Sequence, residues 1–202
     1  MPILRCTALL LLLVSIAIPS FALETAAFDS DGVQISYVSE GEGEPVVLIH
    51  GFIASAQTNW IMPGVFGALA QEYRVIAPDL RGHGKSGKPH DPENYGPLMA
   101  KDIINLLDHL QIEKAHIVGY SLGGFITVHI AARYPDRVIC AIPGGAGWSK
   151  PGDVREGLSE DIATALETGK GISPLIIALT PAGRPAPTEA QLDGMNKMVL
   201  GM

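Results

Sequence analysis

Cysteine is scarce in this chain. Cys6 and Cys140 are the only two in 202 residues. If the segment carrying Cys6 is removed, Cys140 is left alone, so no internal disulfide can form and the fold must be held by a packed core. Cys140 itself lies in the apolar run Val138-Ile139-Cys140-Ala141-Ile142, where it is expected to act as a small buried hydrophobe rather than a catalytic thiol. Also missing is any apolar run of the roughly 20 residues that a membrane-spanning helix needs. The stretch from Ala8 to Ile18 is shorter, follows Arg5 and ends at Pro19-Ser20-Phe21-Ala22. Those are the parts of a secretory signal peptide, with small residues Ser20 and Ala22 at the cleavage site. Residues 1–22 are therefore expected to be removed after Ala22, giving a secreted or periplasmic protein that meets the membrane only through this segment during export. An uncleaved anchor is the competing reading. A lipid anchor is disfavoured, because Cys6 precedes the apolar run. Basic clusters are missing too: the net charge is -7 and positive residues gather only between Arg81 and Lys88. Nucleic acid phosphates would find no counter-charge, which excludes nucleic acid as a partner.

What the chain does have is apolar content. At 47% hydrophobic residues it can bury one substantial domain, and global disorder is excluded. From Thr25 to Tyr37 the pattern predicts a hairpin turning at Asp29-Ser30-Asp31-Gly32, with Val33, Ile35 and Tyr37 alternating with wet Gln34 and Ser36, as at a sheet edge. Val46-Val47-Leu48-Ile49 runs without alternation, as a strand covered on both faces does. A helix is expected from Trp60 to Tyr73, then a strand over Arg74 to Asp79. The next helix shows Met99, Ile103, Leu106 and Leu110 in one stripe widened by Leu107, with Lys101, Asp102 and Asp108 pointing elsewhere. The strand Ala115-His116-Ile117-Val118 leads into a helix from Ser121 to Arg133, expected to pack Phe125, Ile126, Val128 and Ile130. The strand Val138 to Ile142 closes the series. Three helices alternating with four buried parallel strands define an open α/β sheet, whose ligands bind beyond the carboxyl ends of the strands. After Ile142 come a Pro- and Gly-rich loop through Trp148 and weak helices over Leu158 to Thr168 and Glu189 to Leu200.

Three turns fall on that carboxyl rim: Leu48-Ile49-His50-Gly51-Phe52, Asp79-Leu80-Arg81-Gly82-His83-Gly84-Lys85-Ser86 and Gly119-Tyr120-Ser121-Leu122-Gly123. In the last, glycines on either side of Ser121 permit a bend too tight for residues with a Cβ atom, so the hydroxyl stands free at the start of a helix. The helix aims unpaired N–H groups at whatever the serine attacks. Together the three stretches resemble the α/β-hydrolase family, over roughly residues 25 to 150, and especially its esterase-like and carbon–carbon-hydrolase-like members.

The resemblance implies an open, mostly parallel sheet with helices on both faces over residues 23–143, and a partial helical cap over residues 144–202. It implies Ser121 as nucleophile, with Phe52 and Leu122 giving backbone N–H groups to an oxyanion hole, no metal or organic cofactor, and a small ester-like substrate. In the family an acid and a histidine follow the serine, but here the only later histidine is His129, two turns along the same helix and about 12 Å away between Cα atoms. His50 and His83 occupy positions that in the family brace the loops. His90, His109 and His116 read as surface or strand-end residues, and Asp136, Asp153, Asp161 and Asp193 lack a strand-end context. The triad acid and base therefore stay unassigned. Two explanations remain: a fold incomplete at its C-terminus, which is favoured, or a complete protein without the chemistry. The expected activity is an exported serine hydrolase cleaving an ester or related acyl bond, with this 202-residue chain itself nearly inactive. The alternatives are a non-catalytic binding protein, a carbon–carbon bond hydrolase or a perhydrolase. An aspartate-nucleophile branch, as in epoxide hydrolases and dehalogenases, conflicts with Ser121.

Overall fold

The computed structural model describes residues 23–146, 157–181 and 183–200. The expected signal segment, its cleavage point, Trp148 and Asp153 lie outside the described residues. Six strands form one sheet: β1 (Thr25–Ser30), β2 (Val33–Glu40), β3 (Pro45–Ile49), β4 (Arg74–Pro78), β5 (Ala115–Tyr120) and β6 (Val138–Gly144), in the order β1-β2-β4-β3-β5-β6. β1 and β2 form an antiparallel hairpin, β2 is antiparallel to β4, and β4, β3, β5 and β6 run parallel. This is the open, mostly parallel sheet the pattern implied. Between these strands lie α1 (Val65–Leu69), α2 (Pro97–His109) and α3 (Leu122–Arg133), and after β6 come α4 (Leu158–Glu167), α5 (Ser173–Ala178) and α6 (Glu189–Leu200). No described helix is long and apolar enough to cross a membrane.

The sheet divides two apolar clusters. Val47 and Ile49 of β3 face one side, where Ile103, Leu106 and Leu107 of α2 and Ile126 and Ile130 of α3 pack. Val46 and Leu48 face the other, against Phe66 of α1 and Ala56. Each such fully buried side chain contributes about 1.5–3 kcal/mol. The chain leaves β3 in one direction to make β4 and returns to its other side to make β5. The strand order therefore reverses beside β3, and the loops after β3 and β5 diverge to leave a crevice.

Several expectations need correction. Asp102 does not point away from the core: it is 1% exposed and paired with Arg81, because a bidentate guanidinium supplies the neighbours a buried carboxylate needs. Ser36 is buried rather than wet, since β1, not β2, forms the edge, and its N–H is taken by Ser86 Oγ at 2.8 Å. The helix expected from Trp60 is broken: a π-helical turn spans Gln57–Ile61, and Gly64, at φ 83°, restarts the chain as the short α1. Phe125 and Val128 are half exposed, and α3 buries Gly123, Gly124 and Thr127 instead. Cys140 is exposed rather than buried. Among the described residues β6 pairs with β5 alone, so Ile139 and Ile142 are also open to solvent. Finally, α5 forms where only turns were expected, with Pro174 in its first turn, where the missing N–H costs nothing.

Candidate active site

Ser121 sits where β5 turns into α3, at φ 53° and ψ -114°. A non-glycine residue held there stores about 1–3 kcal/mol of backbone strain. The turn is locked from several sides. Ser121 N–H donates to the Gly144 carbonyl at 2.8 Å, tying it to the end of β6. A Cβ on Gly119 would strike the Gly123 carbonyl and Thr127 Oγ1, and one on Gly123 would strike the carbonyls of Ile49 and His50. These two glycines therefore let α3 start directly against β3 and β5, with its N-terminus beside the loop that follows β3.

That loop is clamped at Gly51. Its N–H donates to Asn59 Oδ1 at 2.8 Å. Its carbonyl lies 2.7 Å from His50 Nδ1, and because a carbonyl can only accept, that nitrogen carries the proton. His50 Nε2 is then a lone pair, which accepts the Leu80 N–H at 2.9 Å. His50 is 0% exposed, and burial lowers its pKa to about 4. Both ring nitrogens are committed and the ring is neutral, so His50 cannot serve as a base for Ser121. Its effect is orientation. The C=O of a trans peptide points opposite to its N–H, so holding the Gly51 carbonyl fixes the direction of the Phe52 N–H. Leu122 opens α3, where an N–H has no partner within the helix.

The third loop is braced by carboxylates. Asp79, 8% exposed, accepts the Ala56 and Lys85 N–H groups, each at 2.8 Å, and so ties the loops after β3 and β4 together. Arg81 reaches Asp102 through Nε and Nη2, both at 2.6 Å, and donates Nη1 to the Asn94 carbonyl. The hydrogen bond to this carboxylate holds the guanidinium above its usual pKa, so Arg81 stays charged. His83 Nδ1 lies 3.0 Å from the Arg81 carbonyl, and its ring packs edge-on against His50 and Phe52.

A cavity of about 490 Å³ opens over these loops. Ser121, Leu122, Phe52 and His83 line its floor with Phe125, Tyr95 and Met99. Ile162, Ala163 and Leu166 of α4 and Leu175 of α5 line its roof. The three residues expected at the site thus meet in one chamber. A larger cavity of about 730 Å³, bordered by Thr180 and Met195, involves none of them. Sequence reasoning took Phe125 for core and expected a helical cap over residues 144–202 without naming Ile162, Ala163, Leu166 or Leu175 as lining. Phe125 stands four residues after Ser121, on the same helical face, and that spacing could have revealed it.

The other candidates lie apart. His109 stacks on Phe28 with ring centroids 4.9 Å apart, His116 pairs with Glu44 at 3.0 Å, and Asp193 pairs with Lys197. Asp136 and Asp161 are exposed. Among the described residues no histidine, His129 included, is hydrogen-bonded to Ser121, and no group of three or more His, Cys, Asp or Glu side chains is arranged to hold a metal ion.

Comparison with known proteins gives one family. The model of the alpha/beta hydrolase fold matches residues 44–155. A 2-hydroxymuconate semialdehyde hydrolase from a Pseudomonas species is 38% identical over 130 residues, covering 63% of this chain and 44% of that protein. The chain thus spans less than half the length of this relative. Among solved structures, a meta-cleavage product hydrolase from Pseudomonas fluorescens superposes with a TM-score of 0.59 at 37% identity, covering 72% of this chain and 56% of that one. The enol-lactonase from Burkholderia xenovorans superposes with a TM-score of 0.52 at 31% identity, covering 56% and 44%.

Proposed function

Because the chain belongs to the α/β-hydrolase fold family, we propose that it acts, in the protein expressed from its complete gene, as an exported serine hydrolase of small ester-like substrates. Ser121 Oγ attacks the substrate carbonyl and passes its proton to a general base. The oxyanion accepts hydrogen bonds from the Phe52 and Leu122 N–H groups. The leaving group departs with a proton, and water then releases the acid from the acyl-serine. One observation carries the reading: a serine at φ 53°, at a strand-to-helix turn, in the wall of the chamber. Export follows from residues 1–22, read as a signal peptide.

Carbon–carbon bond hydrolysis is a second reading, favoured by the likeness to a meta-cleavage product hydrolase. A fluorophosphonate probe tests the shared nucleophile. The protein expressed from its complete gene is labelled, and Ser121→Ala abolishes labelling. An intact protein that resists the probe is instead a binding protein on this fold. Esters and carbon–carbon substrates offered to the same enzyme before labelling, with its Ser121 Oγ free, then separate the two chemistries. For the 202-residue chain alone, turnover of a short-chain chromogenic ester is expected to be negligible.

A further inference from the structure

The chamber wall beside Ser121 is built from Phe52, Met99, Leu122, Phe125 and the apolar roof, with one imidazole among them. The hydroxyl of Tyr95, also in the wall, is turned onto the Pro89 carbonyl at 2.7 Å. His83 is different. Its Nδ1 faces the Arg81 carbonyl at 3.0 Å, which only accepts, so the proton of the neutral ring sits on Nδ1 and Nε2 keeps a lone pair. Nε2 has no hydrogen-bond partner among the described residues. The ring cannot easily turn to hide it: Phe52 and His50 pack against it at centroid distances of 5.8 and 5.3 Å, and the Arg81 backbone is fixed by the buried pair with Asp102. An acceptor without a protein partner, in a wall otherwise built of apolar side chains, favours a ligand that brings a donor to it.

We infer that His83 Nε2 is a specificity-determining acceptor in the chamber, selecting neutral, largely apolar carbonyl substrates that carry a hydroxyl close to the scissile carbonyl. This rests on the reading of the chamber as the substrate site, and deepens it by naming what the site prefers. His83 acts by binding and takes no part in proton transfer to or from Ser121. A site built to bond a hydroxyl discriminates against the analogue lacking it, whose binding leaves the acceptor unpaired.

The test is binding of a matched pair of unreactive ketones, octan-2-one and 3-hydroxyoctan-2-one, to the protein expressed from its complete gene by titration calorimetry. The hydroxyketone is expected to bind roughly five- to tenfold more tightly, the scale of one net hydrogen bond. His83→Phe is expected to erase that preference, so that the two ketones bind alike, and His83→Asn, which keeps an acceptor, to retain part of it. Equal binding of the two ketones, or a preference that survives His83→Phe, overturns the inference. Should His83→Phe fail to fold, the ¹⁵N shift of His83 Nε2 in the unaltered chain decides: it must move with the hydroxyketone and stay with octan-2-one. Ketone binding does not depend on the reactivity of Ser121. A hydroxyl preference without fluorophosphonate labelling would therefore sink the hydrolase reading alone, and labelling without the preference would sink this one alone.

Discussion

His50 uses both ring nitrogens on backbone groups from two different loops, and this makes stability depend on pH. In the unfolded chain its pKa is near 6.5, and in the fold burial lowers it to about 4. Between those values the unfolded chain binds a proton that the folded one refuses. The contribution of His50 is therefore complete above about 6.5, is lost as pH falls toward 4, and changes no further below. The loss is about 3 kcal/mol at most. Urea denaturation at pH 7.5, 5.5 and 4.5 should show a falling midpoint, and His50→Gln should flatten the trend across the upper part of that window. Gly123 offers a steric test. A methyl there meets the carbonyls of Ile49 and His50, whereas one on Gly67 in α1 meets open space. Gly123→Ala should cost about 1–3 kcal/mol as overpacking does. Gly67→Ala should be neutral or stabilising by up to about 1 kcal/mol. Thermal melts of the two variants check both. The bend at Ser121 was legible because glycine spacing is a local property of the chain. Phe125 was harder to place, because an apolar residue on a helix looks the same whether it faces a core or a chamber, and only its spacing of four from Ser121 sets it apart.

Among the elements, α2 shows where periodicity helps and where it misleads. Its apolar stripe was plain, and Ile103, Leu106 and Leu107 are fully buried. Asp102 on the same helix looked like a solvent-facing carboxylate, because its partner Arg81 lies 21 residues away and no local pattern connects them. Together with Ser30 Oγ, which donates to Asp102 Oδ1 at 2.6 Å, this pair fastens α2 to both the hairpin and the loop that carries His83. Asp102→Ala should destabilise by about 3–5 kcal/mol, since it strands a buried guanidinium. Arg81→Met combined with Asp102→Leu should recover much of that loss. Denaturant titrations of the single and double variants measure the difference. The break before α1 was likewise hidden, because Val65, Phe66 and Leu69 keep helical spacing while Gly64 alone resets the backbone.

At the scale of the molecule, the sheet is asymmetric. One end is finished by the β1–β2 hairpin. At the other, among the described residues, β6 offers its outer edge and the side chains of Ile139 and Ile142, 42% and 53% exposed. Such an edge invites pairing with another chain. The 202-residue chain should bind an apolar dye and sediment as larger species at micromolar concentration, and Ile139→Lys with Ile142→Lys should suppress both. The order of the strands was less legible than the strands themselves, because apolar runs show that a strand is buried without naming its neighbours. That order also governs how the protein is born. β3 finds β4 after a short stretch of chain, but its other flank is filled by β5, with Val46 opposite His116. Until about residue 120 has cleared the ribosome, the future middle of the sheet is itself a border, and a nascent chain paused earlier would present a raw flank to chaperones.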